Sequence, residues 1–249
     1  MFENLKTDGL QETTDVVVGA NSGAAPTDVY PAVIKMAYVS TANSGAMAVN
    51  IVAAIPALNR EHRETVYVTN KAGQNFYVDK NTHKQVPLPG FVLINEMCLV
   101  ATNKPLAEQS TENKVIKLYD YELKKEVPTE VPVMIDLLDT DIEICLVHLM
   151  ENKKVKNASG DYVATAEVRE HNVIEKVLDP ESHRTVNEAL SDSEAKFHPL
   201  WVDKHKDTVR DKRTIKDGGA TKPSAGGAKP TAGTPPTTAT PTKKLFGNK

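Results

Sequence analysis

EHRETVYVTNKAGQNFYVD, residues 61–79, carries the pattern that decides the fold. Val66 and Val68 fall on one side of an extended chain, and Arg63, Thr65, Tyr67 and Thr69 fall on the other. That period of two predicts a strand with one buried and one wet face. NKAGQN (70–75) predicts a hairpin turn, with Gly73 free to take positive φ. FYVD (76–79) is expected to return along the first strand, with Phe76 and Val78 inward and Tyr77 outward. KNTHKQ (80–85) then predicts a second polar turn.

Upstream, Tyr30, Ala32, Ile34, Met36 and Tyr38 recur at every second position and predict another strand. TANSG (41–45) predicts a turn, and AMAVNIVAAI (46–55) a strand buried on both faces. Downstream of PLPG (87–90) the period lengthens. Phe91, Ile94, Cys98 and Leu99 share a helical face, and the helix is expected to stop before Asn103-Lys104-Pro105. Strands are expected again at 114–121, 141–150 and 162–169, with a loop at 156–161. A helical stretch is expected at 184–212, interrupted by Pro199.

These elements give four regions: an N-terminal arm (1–27), a β body (28–182), a helical extension (183–216) and a basic tail (217–249). Runs of strands with one interposed helix predict a mainly β fold with a few helices, an OB-type barrel with insertions. A β-sandwich is the alternative. Alternating β/α units are absent, which argues against a doubly wound sheet.

Charge divides the chain. Residues 201–249 hold eleven Lys/Arg and four Asp/Glu, so with a net charge of −3 the first 200 residues carry −10. The tail is rich in Gly, Pro, Thr and Ala and has too little apolar surface to offset its ordering entropy; it is expected to be disordered. Within it, Lys243-Lys244-Leu245-Phe246 brings an apolar pair back after a long polar stretch, the pattern of a partner-docking peptide. Cys98 and Cys145 sit in apolar runs and read as small buried hydrophobes. No apolar run approaches the ~20 residues of a membrane span, and a cytoplasmic location is expected.

Catalytic and cofactor chemistry finds little support. The seven histidines are scattered without an HExxH string. Asp136, Asp139, Asp141 and Glu143 suggest a cation site, but they fit a loop and a wet strand face equally well. Asp120, Glu122 and Lys124 have the spacing of a metal-dependent nuclease half-site, a string that charged strand ends produce often. Neither a phosphate loop nor a nucleophile–base pair stands out. No catalytic residue, metal or cofactor is expected.

Exposed tyrosines among cations fit better. Arg63 and Tyr67 share a face, Tyr77 lies close to Lys80, and Lys117 shares a face with Tyr119. Bases stack on aromatic rings while Lys and Arg follow the phosphates, the chemistry of a sequence-tolerant single-strand binder. Lys35, Lys71 and Lys84 complete the expected backbone-contacting set. The acidic body supports a rival class, a protein-interaction or scaffold module whose tail docks partners.

Several segments together resemble the single-stranded DNA-binding proteins of tailed bacteriophages. They are MFENLKTDGL (1–10), RETVYVTNKAGQNFYVD (63–79), VPLPGF (86–91), KPLAEQ (104–109), VLDPESHRTVNEA (177–189) and the Lys-Lys-Leu-Phe-Gly string at 243–247. The resemblance implies an OB-type fold and binding of single-stranded DNA during phage replication or recombination, in the cytoplasm of an infected host. It implies no catalysis. The docking peptide of the tail, read from its own residues, is expected to meet phage replication, recombination or transcription proteins. One departure is plain: many replication single-strand binders end in an acidic tail, and this chain has no acid after Asp217.

Overall fold

The computed structural model describes residues 23–120, 123–216, 219–220 and 245–246. Most of the expected arm and most of the expected disordered tail lie outside the described residues, as does Glu122 of the nuclease-like string.

The chain opens with β1 (Asp28–Thr41), β2 (Met47–Ile55) and β3 (Arg60–Tyr67), an antiparallel meander. β4 (Phe76–Val78) and β5 (Gln85–Pro87) follow, then α1 (Pro89–Thr102). A long hairpin, β6 (Thr111–Asp120) and β7 (Lys125–Met134), precedes a longer one, β8 (Asp141–Lys156) and β9 (Tyr162–Leu178). Short helices α2 (Val186–Leu190) and α3 (Phe197–His205) lead to β10 (Val209–Asp211), β11 (Ile215–Lys216) and β12 (Gly219–Ala220).

The main sheet is ordered β10-β8-β1-β2-β3, with β9 on β8 and β7 on β1. It is open. β3 and β9 approach each other and are joined by side chains: Ile174 N–H donates to Glu64 Oε2 (2.9 Å), and Arg60 Nη2 donates to Asn172 Oδ1 (2.6 Å). The mainly β architecture agrees with the sequence pattern; a closed barrel is not what the strand pairing gives.

A bulge between Ile34 and Met36 reshapes β1. One extra residue flips every later side chain to the opposite face. Ala37 is therefore buried in place of Met36, and Tyr38 turns away from the core, contrary to the uniform alternation expected across 30–38. The bulged residue is Lys35.

α1 is buried almost all round, from Ile94 to Ala101, and shares one hydrophobic core with Ile34, Ile51, Ile55, Ile142 and Ile144 of the sheet. Pro89 suits its first turn, where the missing N–H costs nothing. Asn103 closes it in the left-handed conformation, donating its N–H to Leu99 O. Cys98 and Cys145 are free thiols, and burial pushes both pKa values upward, in line with their apolar settings.

At Gly90 the helix start touches β3 so closely that a Cβ would overlap the Tyr67 carbonyl oxygen. Alanine has an intrinsic helix advantage of about 1 kcal/mol. Backbone cannot rotate aside as a side chain can, and overpacking costs about 1–3 kcal/mol. Gly90→Ala is therefore expected to lower the urea unfolding midpoint by a net ~1–2 kcal/mol at unchanged m-value. A midpoint at or above that of the parent would show the contact to be slack.

Several expected elements differ. Residues 76–78 do not return along β3 but pair with β5. Asn70 holds the preceding turn locally, its Oδ1 accepting from Ala72 and Gln74 N–H, while β3 already pairs with β2 and abuts α1. Val78 is consequently exposed rather than inward. β7 is a strand that hydrophobic periodicity passes over, because Pro128 and Pro132 interrupt it; its outer edge pairs with β1 only at Val133. The 184–212 stretch is not one broken helix. Pro199 sits harmlessly in the first turn of α3, and 209–211 pair parallel with β8. Trp201 then joins Cys145, Val147 and Leu178 in a second small core, and its Nε1 donates to Glu175 (2.9 Å).

Candidate nucleic-acid interface

The face of β1–β3 turned away from the main core carries three cross-strand rows. Met36, Val52 and Arg63 form one, Tyr38, Asn50 and Thr65 the next, and Ser40, Ala48 and Tyr67 the third. Hydrogen bonds stiffen the middle of this face: Thr65 Oγ1 donates to Asn50 Oδ1 (2.7 Å), and Asn50 Nδ2 donates to Ser40 Oγ (2.8 Å). Tyr67 has the small residues Ala48 and Ser40 beside it in its row, and Ala48 is itself buried.

The β6 strand borders this face and completes a groove of about 430 Å³. Lys35, Arg63 and Lys117 all line it, together with Tyr38. Burial pushes the Tyr38 phenol pKa upward, and the Arg63 charge partly offsets the rise, so ring and guanidinium are electrostatic neighbours. The cations are held by exchangeable contacts. Lys35 Nζ lies 2.9 Å from Asp139, and Arg63 Nη2 lies 2.9 Å from Glu61, both at exposed positions where an ion pair contributes about 0–1 kcal/mol. Glu61 and Glu64 also border the groove and oppose an anion there. Glu64 is already engaged by His62 Nε2 (2.9 Å) and by the Ile174 N–H.

The expected site residues therefore separate into groups. Lys35, Arg63 and Lys117 meet at the groove; Tyr67 (54% exposed) on β3 and Tyr119 (53% exposed) on β6 lie outside its lining, each two residues along its strand from a lining residue. Tyr77 (47% exposed), Lys80 and Lys84 lie instead on the small β4–β5 hairpin, and Lys71 in the turn before it. Tyr77 thus belongs to a different sheet from Tyr67, not to the next strand of the same face. Leu245 and Phe246 are seated on the body; Lys243 and Lys244 lie outside the described residues.

Two aromatic positions escape a reading of spacing alone. Tyr38 looks like a core residue until the bulge turns it into the groove. Tyr162, 70% exposed, pairs with Lys156 near the tip of the β8–β9 ribbon, where Lys153 and Lys154 also lie. An aromatic opposite a lysine on an exposed strand was the available signal.

Other clusters suit nucleic acid less. A larger depression of about 540 Å³ is lined by Asp139, Asp141 and Glu181 with no Lys or Arg, so its charge repels phosphate. The four acids at 136–143 do not form one site. Asp136 meets Lys104 (3.3 Å) and the Ser110 N–H, which holds its carboxyl below the usual range, and Asp139 meets Lys35. Glu143 bonds to His183 Nδ1 (2.9 Å), whose ring stacks on that of His198 with centroids 5.0 Å apart. Those three are the one group among the described residues whose ligand atoms lie close enough to hold a metal ion, and of them Glu143 and His183 bond to each other.

Among the described residues, no helix is long and apolar enough to cross a membrane. A scan against protein-family models and a search of curated proteins both return no match.

Proposed function

We propose that this protein binds single-stranded DNA without strong sequence preference, acting by binding alone. The observation that carries the reading is the groove lined by Lys35, Arg63, Lys117 and Tyr38, with the exposed Tyr67 and Tyr119 two residues along their strands from the lining residues Thr65 and Lys117. Stacking contributes about 1–3 kcal/mol per base on such rings, and cations alongside neutralise phosphates. On this reading the open sheet is an OB-type barrel with its β3–β9 seam bridged by Glu64 and Arg60. The β1–β3 face is where such barrels take oligonucleotides. The resemblance to phage single-strand binders supports the same reading, with a role in phage DNA replication or recombination as part of the proposal.

Mobility-shift titrations with single- and double-stranded oligonucleotides of one length, at two salt concentrations, test it. Tighter binding of the single strand is expected, weakening with salt at a log–log slope of about −0.7 per phosphate contacted. Equal affinity for both forms, or none for either, would refute the proposal. Tyr67→Ala with Tyr77→Ala should weaken single-strand binding without unfolding the chain. Because the two rings lie on separate sheets, their single variants also report which sheet the strand crosses.

A further inference from the structure

Leu245 and Phe246 are remote in sequence from everything they touch. Phe246 is only 4% exposed and belongs to the main hydrophobic core, and Leu245 packs against that core. Their two backbone N–H groups both donate to Asn103 Oδ1, at 3.0 Å each. Asn103 is the residue that closes α1, in the left-handed conformation that usually selects glycine. Glycine would suit that backbone equally well; what it lacks is a carboxamide. Asparagine here both ends the helix and presents an acceptor to an incoming chain.

A buried aromatic anchor and a side chain that captures consecutive backbone donors are the two parts of a peptide-recognition site. From these we infer that the body carries a peptide socket at the end of α1, and that its occupant is the chain's own Leu245–Phe246 segment, held in cis. The expectation from sequence was a peptide that docks a separate protein; the contacts seen are with the body of the same chain. Tethering through residues 221–244 makes the occupant compete at an effective concentration of order millimolar. A free peptide of the same sequence therefore meets a socket that is mostly filled. The segment around it is basic, with Lys243 and Lys244 immediately before the anchor.

The test uses full-length chains and a fluorescein-labelled peptide of residues 240–249, read by polarisation, with no DNA present. The intact chain is expected to bind the peptide weakly. Leu245→Ala with Phe246→Ala empties the socket and should tighten peptide binding about tenfold or more. Adding Asn103→Gly to that emptied chain keeps the helix end, since glycine accepts its conformation, and should abolish binding. Asn103→Asp retains an acceptor oxygen and should preserve it. A peptide carrying alanine in place of Phe246 should not bind any of the chains. The inference fails if the emptied chain binds no more tightly than the intact one. It also fails if Asn103→Gly leaves peptide binding unchanged. Because none of these readouts involves DNA, they stand or fall separately from the proposed function.

Discussion

Arg63→Glu combined with Lys117→Glu is expected to lower affinity for single-stranded DNA roughly 25-fold or more at 0.1 M salt, with a log–log salt slope shallower by about 1.4. The figures follow from two lost phosphate contacts at about 0.7 counterions each; reversing rather than removing the charges adds repulsion. Both side chains are exposed and line the groove, so the fold should be nearly indifferent, within about 0.5 kcal/mol. Losing the Arg63–Glu61 pair is cheap for the same reason. Glu61→Gln provides a control of opposite sign: it frees Arg63 and removes a negative charge from the groove, so single-strand affinity should rise. Fluorescence anisotropy across a salt series measures all three quantities. An unchanged slope in the double-glutamate variant would move the strand off this groove, whatever happened to affinity.

Lys176→Met is expected to destabilise the fold strongly, by about 3–5 kcal/mol near neutral pH. Glu96 lies on α1, 3% exposed, and Lys176 Nζ on β9 reaches it at 2.6 Å. Burial pushes the Glu96 carboxyl pKa upward from 4.5, and Lys176 pulls it partly back. Methionine keeps the aliphatic length and leaves a buried carboxylate alone. The folded chain then holds a proton on Glu96 that the unfolded chain has released, across the interval between the ordinary and the raised pKa. There the native state binds more protons, so stability falls as pH rises. The deficit of the variant should therefore shrink as pH is lowered toward 4.5 and be largest above the raised value. Denaturant unfolding of parent and variant at several pH values reads this directly. A deficit independent of pH would mean that lost packing, not the stranded charge, is responsible.

Part of this molecule is legible in one dimension. The strand at 60–67 follows from alternation, and α1 follows from the change of period after Pro89, with Asn103 at its end. Arg63, Tyr67, Lys117 and Tyr119 were identifiable because charged and aromatic side chains recur on wet faces at spacing two. What failed did so for definable reasons. A bulge carries no reliable local signature, so alternation alone puts Lys35 on the correct strand but Tyr38 on the opposite face from the one it occupies. Proline suppresses the strand pattern at 125–134, although an edge with few ladder bonds tolerates it. The turn at 70–75 suggested a hairpin partner, but which strand pairs with which is decided by the edges still free after β2 and α1 have docked.

The amino-acid pattern by itself determined a β-rich body with one buried helix, because burial periodicity is a local property of the chain. It also marked Leu245–Phe246 as an apolar pair with something to bind. Tertiary structure alone decided that the sheet stays open between β3 and β9, and that three cations remote in sequence share one groove with Tyr38. It also decided that Leu245–Phe246 meets Asn103 of its own chain. Each of these depends on contacts between residues far apart in sequence. Their geometry is set by which surfaces remain after the core has packed, and no local spacing encodes that.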